Sequence, residues 1–219
     1  MEGSSSVARS NIAVIAIMVG LVLVHVAQFL SDNFLVHFST FPNRIAVAWE
    51  WVTSGDYSFS RLSVFITLLT GPLLHADPIH LGGNLFFFWI FAALIRELLG
   101  SRWMMAIVAL TAVAGAMGDV AMRWGSPVPS LGISGAVMGL EGAYLGLAVR
   151  WRLPDPFVWP MSHPVAPLNL AILAGVGFFL DISGVYGGHT GTAFGAHLGG
   201  FIVGLFLTSF VAPRPRLLR

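Results

Sequence analysis

Gly132-Ile133-Ser134-Gly135-Ala136-Val137-Met138-Gly139-Leu140-Glu141-Gly142-Ala143-Tyr144-Leu145-Gly146-Leu147-Ala148-Val149-Arg150 is the stretch whose reading decides the fold. It is apolar enough, and nearly long enough, to cross the hydrocarbon layer of a bilayer, which takes about 20 such residues in a helix. Gly135/Gly139 and Gly142/Gly146 are each four residues apart. On a helix that spacing leaves a stripe without side chains, along which a second helix can approach closely. The same spacing recurs at Gly200/Gly204, in a stretch that reads Gly195-Ala196-His197-Leu198-Gly199-Gly200. A serine in one such stretch and a histidine in the other give a polar pair on helices built to touch.

The rest of the chain extends this reading. Of its residues 56% are hydrophobic and only 10% are charged, where a soluble domain carries roughly 25% charged residues. Most of the surface therefore does not face water. Apolar stretches run near 11–31, 79–99, 103–122, 132–150, 166–186 and 193–212. The expected fold class is all-α, a polytopic membrane protein with six transmembrane helices. Its layout is a short cytoplasmic N-terminus over 1–10, a membrane domain over 11–212 and a cytoplasmic tail over 213–219. The first stretch reads as a retained helix rather than a signal peptide. Cysteine is absent, so disulfides and cysteine-based zinc sites are excluded. A net charge of +1 argues against a nucleic-acid partner.

The arginines give the orientation. Arg9, Arg96, Arg102, Arg150, Arg152, Arg214, Arg216 and Arg219 fall on one side of such a bundle, and Arg44, Arg61 and Arg123 on the other. The positive-inside rule then puts both termini in the cytoplasm and Ser134 near the outer face. The segment between the first two spans is long and rich in aromatics, among them Phe34, Phe41, Trp49, Trp51 and Tyr57. Such side chains favour the membrane–water interface. Asn43 reads as the cap of a short amphipathic helix through Arg44, Val47 and Trp51.

Polar groups inside a span are costly, and those that persist usually face the bundle interior. His80 and Asn84 on the second span, Ser134 on the fourth and His197 on the sixth all fall in the outer third of the membrane. A hydroxyl needs a base to become a nucleophile, and His197 can serve. Ser134 lies in the first turn of its helix, where unpaired backbone N–H groups and the positive dipole end favour an oxyanion. His80 and Asn84, four residues apart on one helix face, can add donors.

These residues carry a family resemblance. His75-Ala76-Asp77-Pro78-Ile79-His80-Leu81-Gly82-Gly83-Asn84, Gly132-Ile133-Ser134-Gly135 and Ala196-His197-Leu198-Gly199-Gly200 with Gly204 resemble, in order, the second-helix, nucleophile and sixth-helix motifs of the rhomboid family. Glu97-Leu98-Leu99-Gly100-Ser101 is similar to its cytoplasmic turn. The resemblance covers roughly 64–212. It implies an intramembrane serine endopeptidase that cleaves transmembrane segments of membrane-protein substrates with a dyad, Ser134 attacking and His197 as base. Asn84, His80 and the Ser134 backbone N–H would hold the oxyanion, with Gly132 in support. No cofactor and no metal are expected; the partners are a substrate transmembrane helix and the lipid bilayer, in a bacterial inner membrane.

The chain departs from the family pattern at three places. Met138 stands where members often carry an aromatic stacked on the catalytic histidine. Ile66-Thr67 stands where many carry a tryptophan–arginine pair. Glu141 lies one helical repeat below Ser134 and reads as a neutral, hydrogen-bonded packing residue. The loop Tyr186-Gly187-Gly188-His189-Thr190-Gly191-Thr192 reads as a mobile cap over the site. Two other readings compete. One is a catalytically inactive rhomboid-like protein that binds membrane clients; such relatives usually lack the serine or histidine that this chain keeps. The other is a transporter or metal-binding protein using His75, His80, His189 and His197.

Overall fold

The computed structural model describes residues 11–31, 33–155, 166–186 and 193–218. Helices dominate, and the only strand-like pairing among the described residues is an isolated bridge between Thr40 and Ser130. Each apolar stretch coincides with a helix: α1 (Ile12–Gln28), α3 (Pro78–Leu99), α4 (Ser101–Met122), α5 (Ser134–Arg150), α6 (Pro167–Tyr186) and α7 (Phe194–Phe206), with α2 (Pro42–Thr53) in the long segment after α1. Pro78–Leu99, Ser101–Met122 and the run Phe194–Leu218 are long and apolar enough to cross a membrane. Ile12–Gln28 and Pro167–Phe179 are apolar but shorter.

Local chemistry sets the boundaries. Gly100, at φ +92°, both ends α3 and opens α4; its N–H donates to the Arg96 carbonyl at 2.7 Å, and its own carbonyl accepts from Met104 N–H at 3.1 Å. Asp77 caps α3 through the His80 N–H at 2.8 Å, with Pro78 as first helical residue. That pairing satisfies an orphan donor and places the proline where its missing N–H costs nothing. Asn43 does not cap α2. Pro42 starts that helix one residue earlier, and the Asn43 N–H donates instead to the Ser126 carbonyl at 3.0 Å. The sequence window over 132–150 likewise begins too early: Gly132 has φ +109°, a left-handed conformation that cannot belong to the helix, so α5 starts at Ser134.

The core lies where α3, α4 and α5 meet, around Phe88, Phe91, Ile95, Met104, Ile107, Leu140 and Tyr144. Helix α5 is buried almost all round, from Gly135 through Tyr144, as befits a central element. The outer helices expose Val19, Leu23, Leu168, Ile172 and Phe179, apolar side chains that suit contact with lipid.

The glycine stripes do what their spacing predicts. A methyl on Gly200 would collide with the Gly135 carbonyl, and one on Gly204 with the Gly139 carbonyl. Gly142 abuts the Phe201 carbonyl, and Gly146 abuts Thr208. A second stripe, not singled out in the sequence, joins α4 to α7: Gly115 lies against Ala196, Gly118 against Gly195 and Gly199 against Ala114. Helices α4, α5 and α7 thus meet backbone to backbone. The last turn beyond α7 widens into a π-type turn over Leu207–Val211, where the Arg150 guanidinium donates to the Ala212 carbonyl at 3.1 Å.

The long segment after α1 is a scaffold for the turn that precedes α5. Thr40 and Ser130 exchange backbone hydrogen bonds at 3.1 and 2.7 Å, and Gly132 N–H donates to the Gly71 carbonyl at 3.2 Å. Trp49 and Trp51 remain exposed on α2, while Ile45, Ala46 and Ala48 are buried beneath them.

Candidate active site

Helix α3 delivers two polar side chains one turn apart. The Asp77 cap fixes the first turn, which carries His80. Asn84 follows on the same face, 8% exposed, with its amide nitrogen donating to the His80 carbonyl at 3.1 Å. An amide nitrogen has two protons, so this bond orients Asn84 and uses one of them.

Gly132 brings the turn before α5 onto the same spot. A methyl there would stand 2.8 Å from His80 Cε1 and 3.8 Å from the Asn84 amide nitrogen. The bare α-carbon and the positive φ are both required, and only glycine supplies them without strain. The α5 ladder begins with Ala136 and Val137 donating to the Ile133 carbonyl at 2.8 and 3.1 Å. The Ser134 and Gly135 amides sit ahead of those bonds, at the end where helix donors lack intrahelical partners.

Helix α7 closes the arrangement. Ala196, which precedes His197, puts its carbonyl oxygen 3.1 Å from where a Gly135 side chain would begin. Gly135 is the residue after Ser134. The residues flanking the serine and the histidine are therefore in backbone contact. Ser134, His197, His80 and Asn84 all line one cavity of about 1040 Å³. Gly132 is not among the residues lining it but lies against His80.

The same cavity reaches down to Met138 and Glu141 and sideways to Phe87 on α3 and Val176 on α6. Glu141 is 6% exposed, with Gly177 of α6 opposite its Oε2. It is therefore part of the cavity wall. Met138 packs with Ala174 and Phe201, and the stacked Phe178–Phe201 rings hold α6 to α7 beside it. Thr67, in the segment where the family often carries an arginine, offers its carbonyl to the Thr40 hydroxyl at 2.6 Å.

Several groups around the site have surroundings that the sequence reading did not foresee. Asp119, fully buried on α4, pairs with Arg123, whose guanidinium also donates to the Val128 carbonyl at 3.2 Å and lines the cavity. The aspartate–arginine spacing of four was the available signal. His75 is buried just before α3, and burial, assisted by the neighbouring His80 and His25, pushes its imidazole down to about 4. The His80 N–H bonded to Asp77 holds that carboxyl below the usual carboxylate range. Among the described residues no three of His, Asp and Glu are grouped to hold a metal. The loop over 187–192, read from sequence as a cap, and with it His189, lies outside the described residues.

A family model for the Rhomboid domain matches residues 63–214. The chain belongs to the rhomboid family. Among rhomboid proteins it is 30% identical over 140 residues to the rhomboid protease GluP of Bacillus subtilis, covering 64% of this chain and 24% of that one. It is 30% identical over 135 residues to the rhomboid protease GlpG of Pectobacterium atrosepticum, covering 62% and 44%. It is 28% identical over 148 residues to the human mitochondrial presenilin-associated rhomboid-like protein, covering 65% and 37%. The chain thus spans less than half the length of each of these relatives. As a rhomboid with long apolar helices, it is a membrane protein.

Proposed function

We propose that this chain is an intramembrane serine endopeptidase acting on membrane-protein substrates with a transmembrane helix. Ser134 is the nucleophile and His197 the general base. The observation that carries the reading is the single cavity lined by Ser134, His197, His80 and Asn84, on helices whose flanking residues touch. Two of the relatives are named as rhomboid proteases, which supports the same chemistry.

In this reading the Ser134 hydroxyl oxygen attacks the scissile carbonyl carbon while its proton passes to His197. Negative charge collects on the former carbonyl oxygen, where the Ser134 N–H, the second Asn84 amide proton and His80 receive it. Collapse breaks the C–N bond, and His197 returns the proton to the leaving amine. Water then repeats the sequence on the acyl-enzyme and frees Ser134. The family resemblance implies a dyad without a third, orienting carboxylate, and such a dyad is expected to be slow; in a soluble triad, replacing the aspartate with asparagine costs about 10⁴ in turnover.

The membrane placement belongs to the same proposal. Helices α1, α3, α4, α5, α6 and α7 are six spans within a membrane domain over 11–212. The flanking segments 1–10 and 213–219 lie in the cytoplasm, and the membrane is a bacterial inner membrane. The arginine distribution supports the orientation, and bacterial relatives support the compartment. Ser134→Ala and His197→Ala should each abolish cleavage of a transmembrane reporter in proteoliposomes while the protein still folds. Cleavage at the normal rate by either variant contradicts the dyad. A client-binding role without catalysis would survive both substitutions.

A further inference from the structure

We infer that Gln28, on the last turn of α1, is a positioning residue for the oxyanion side chain His80, acting through His75. The inference rests on the proposed function, in which His80 holds the developing oxyanion.

The problem to be solved is the orientation of a ring. The torsion that turns an imidazole about its own axis is soft, so only neighbours can fix the direction of its N–H. On one side His80 is limited by Gly132, whose missing side chain leaves just enough room for the ring. On the other side stands His75, in T-shaped contact with ring centroids 5.2 Å apart and planes at 65°. The orientation of His80 therefore depends on where His75 stands.

His75 lies in the short connection between Leu73 and Pro78, which has no helix of its own to hold it. Gln28 supplies the hold. Its side-chain amide donates to the His75 carbonyl at 2.7 Å, and its side-chain oxygen accepts from the His75 N–H at 3.0 Å. One side chain thus satisfies both backbone groups of a single residue, as a neighbouring strand would. One turn earlier on α1, the His25 ring backs the His75 ring in a second T-shaped contact, with centroids 6.4 Å apart. His25 is 5% exposed and His75 fully buried. The series runs from α1 through His75 to His80 and ends on Gly132, the residue two before the nucleophile. His75 is neutral at neutral pH, with its imidazole pushed down to about 4, so it fixes the His80 ring without placing a positive charge beside it.

A clamp of this kind is expected to change turnover rather than binding. Removing an oxyanion donor outright costs roughly 10²–10³ in kcat; misaiming one costs up to about 10² for a full 1 Å displacement, and about tenfold is expected for a ring that only loses one of its supports. The test is a double-mutant cycle on the full chain in proteoliposomes, with a transmembrane reporter. Gln28→Leu should lower kcat about tenfold with KM unchanged. In a His80→Ala background the same substitution should cost nothing more, because the group it positions is gone. Equal factors in both backgrounds, or a change of less than about twofold in the native background, overturn the inference. If Gln28→Leu fails to fold, Gln28→Glu enters the same cycle. It keeps the size and the acceptor for the His75 N–H but loses the donor to the His75 carbonyl, and an intermediate loss that vanishes beside His80→Ala is expected. If His80→Ala itself leaves kcat unchanged, the oxyanion role of His80 fails and this inference falls with it. An impaired His80→Ala without coupling to Gln28 sinks the inference alone.

Discussion

Asn84 is the most tightly specified donor at the site, since one amide proton is tied to the His80 carbonyl at 3.1 Å. Asn84→Ala should cut turnover roughly 10²–10³-fold while leaving labelling of Ser134 partly intact; a loss below about threefold would make Asn84 a packing residue. Glu141 shares the cavity wall seven residues beyond Ser134. At 1.5 Å per residue that is about 10 Å along the helix, too far for direct proton transfer. Glu141→Gln should therefore keep both stability and activity, and Glu141→Leu should lower the melting temperature in detergent. A Glu141→Gln protein that is stable but inactive would make the carboxyl a proton relay. His75 gives a pH dependence. Its folded value is about 4 against an ordinary 6.5. Above pH 6.5 it is neutral in both states and contributes nothing. As pH falls from 6.5 to 4, the unfolded chain takes up a proton that the folded one refuses, so stability drops across that window. The melting temperature should fall over this range and fall less in His75→Asn; identical profiles would contradict the assignment. At this scale Ser134, His197, His80 and Asn84 were legible because they are polar residues in apolar helices. Gln28 was not, because its contact joins residues 47 apart in sequence and no periodicity encodes it.

Among the elements, the glycine stripes were readable as spacing, but their partners were not. Spacing of four marks a bare helix face; only the packed structure tells that Gly200 meets the Gly135 carbonyl and Gly139 meets Thr111. The α4–α7 stripe carries that mark only on α7, at Gly195 and Gly199; on α4 the matching Gly115 and Gly118 are three apart. Gly200→Ala should destabilise by about 1–3 kcal/mol, the usual cost of overpacking. Gly82→Ala, where nothing lies within 4 Å, should be neutral or stabilise by up to about 1 kcal/mol through helix propensity. Equal effects in thermal unfolding would show that the stripe does not govern the packing. The segment after α1 was legible as rich in aromatics. Its attachment to the turn before α5 was not, because the Thr40–Ser130 bridge is a backbone pairing that leaves no signature in side chains.

For the whole molecule, hydropathy was enough to forecast an all-helical membrane protein: in lipid a backbone is satisfied only in helices or a closed barrel, and the long unbroken apolar runs lack the alternation that barrel strands carry. The orientation rests on arginine counts. The absence of native cysteine makes it directly testable: a single cysteine at Ser58 should react with a membrane-impermeant maleimide from outside, and one at Arg152 only after the cells are opened. The reverse pattern would invert the bundle and remove the site from the outer face. The central claim is that Ser134 is a nucleophile activated by His197, and labelling with a fluorophosphonate probe tests it most directly. The account predicts one adduct, on Ser134, that is lost in Ser134→Ala and strongly reduced in His197→Ala. Labelling that persists in Ser134→Ala, or a folded protein that no such probe modifies, would contradict it.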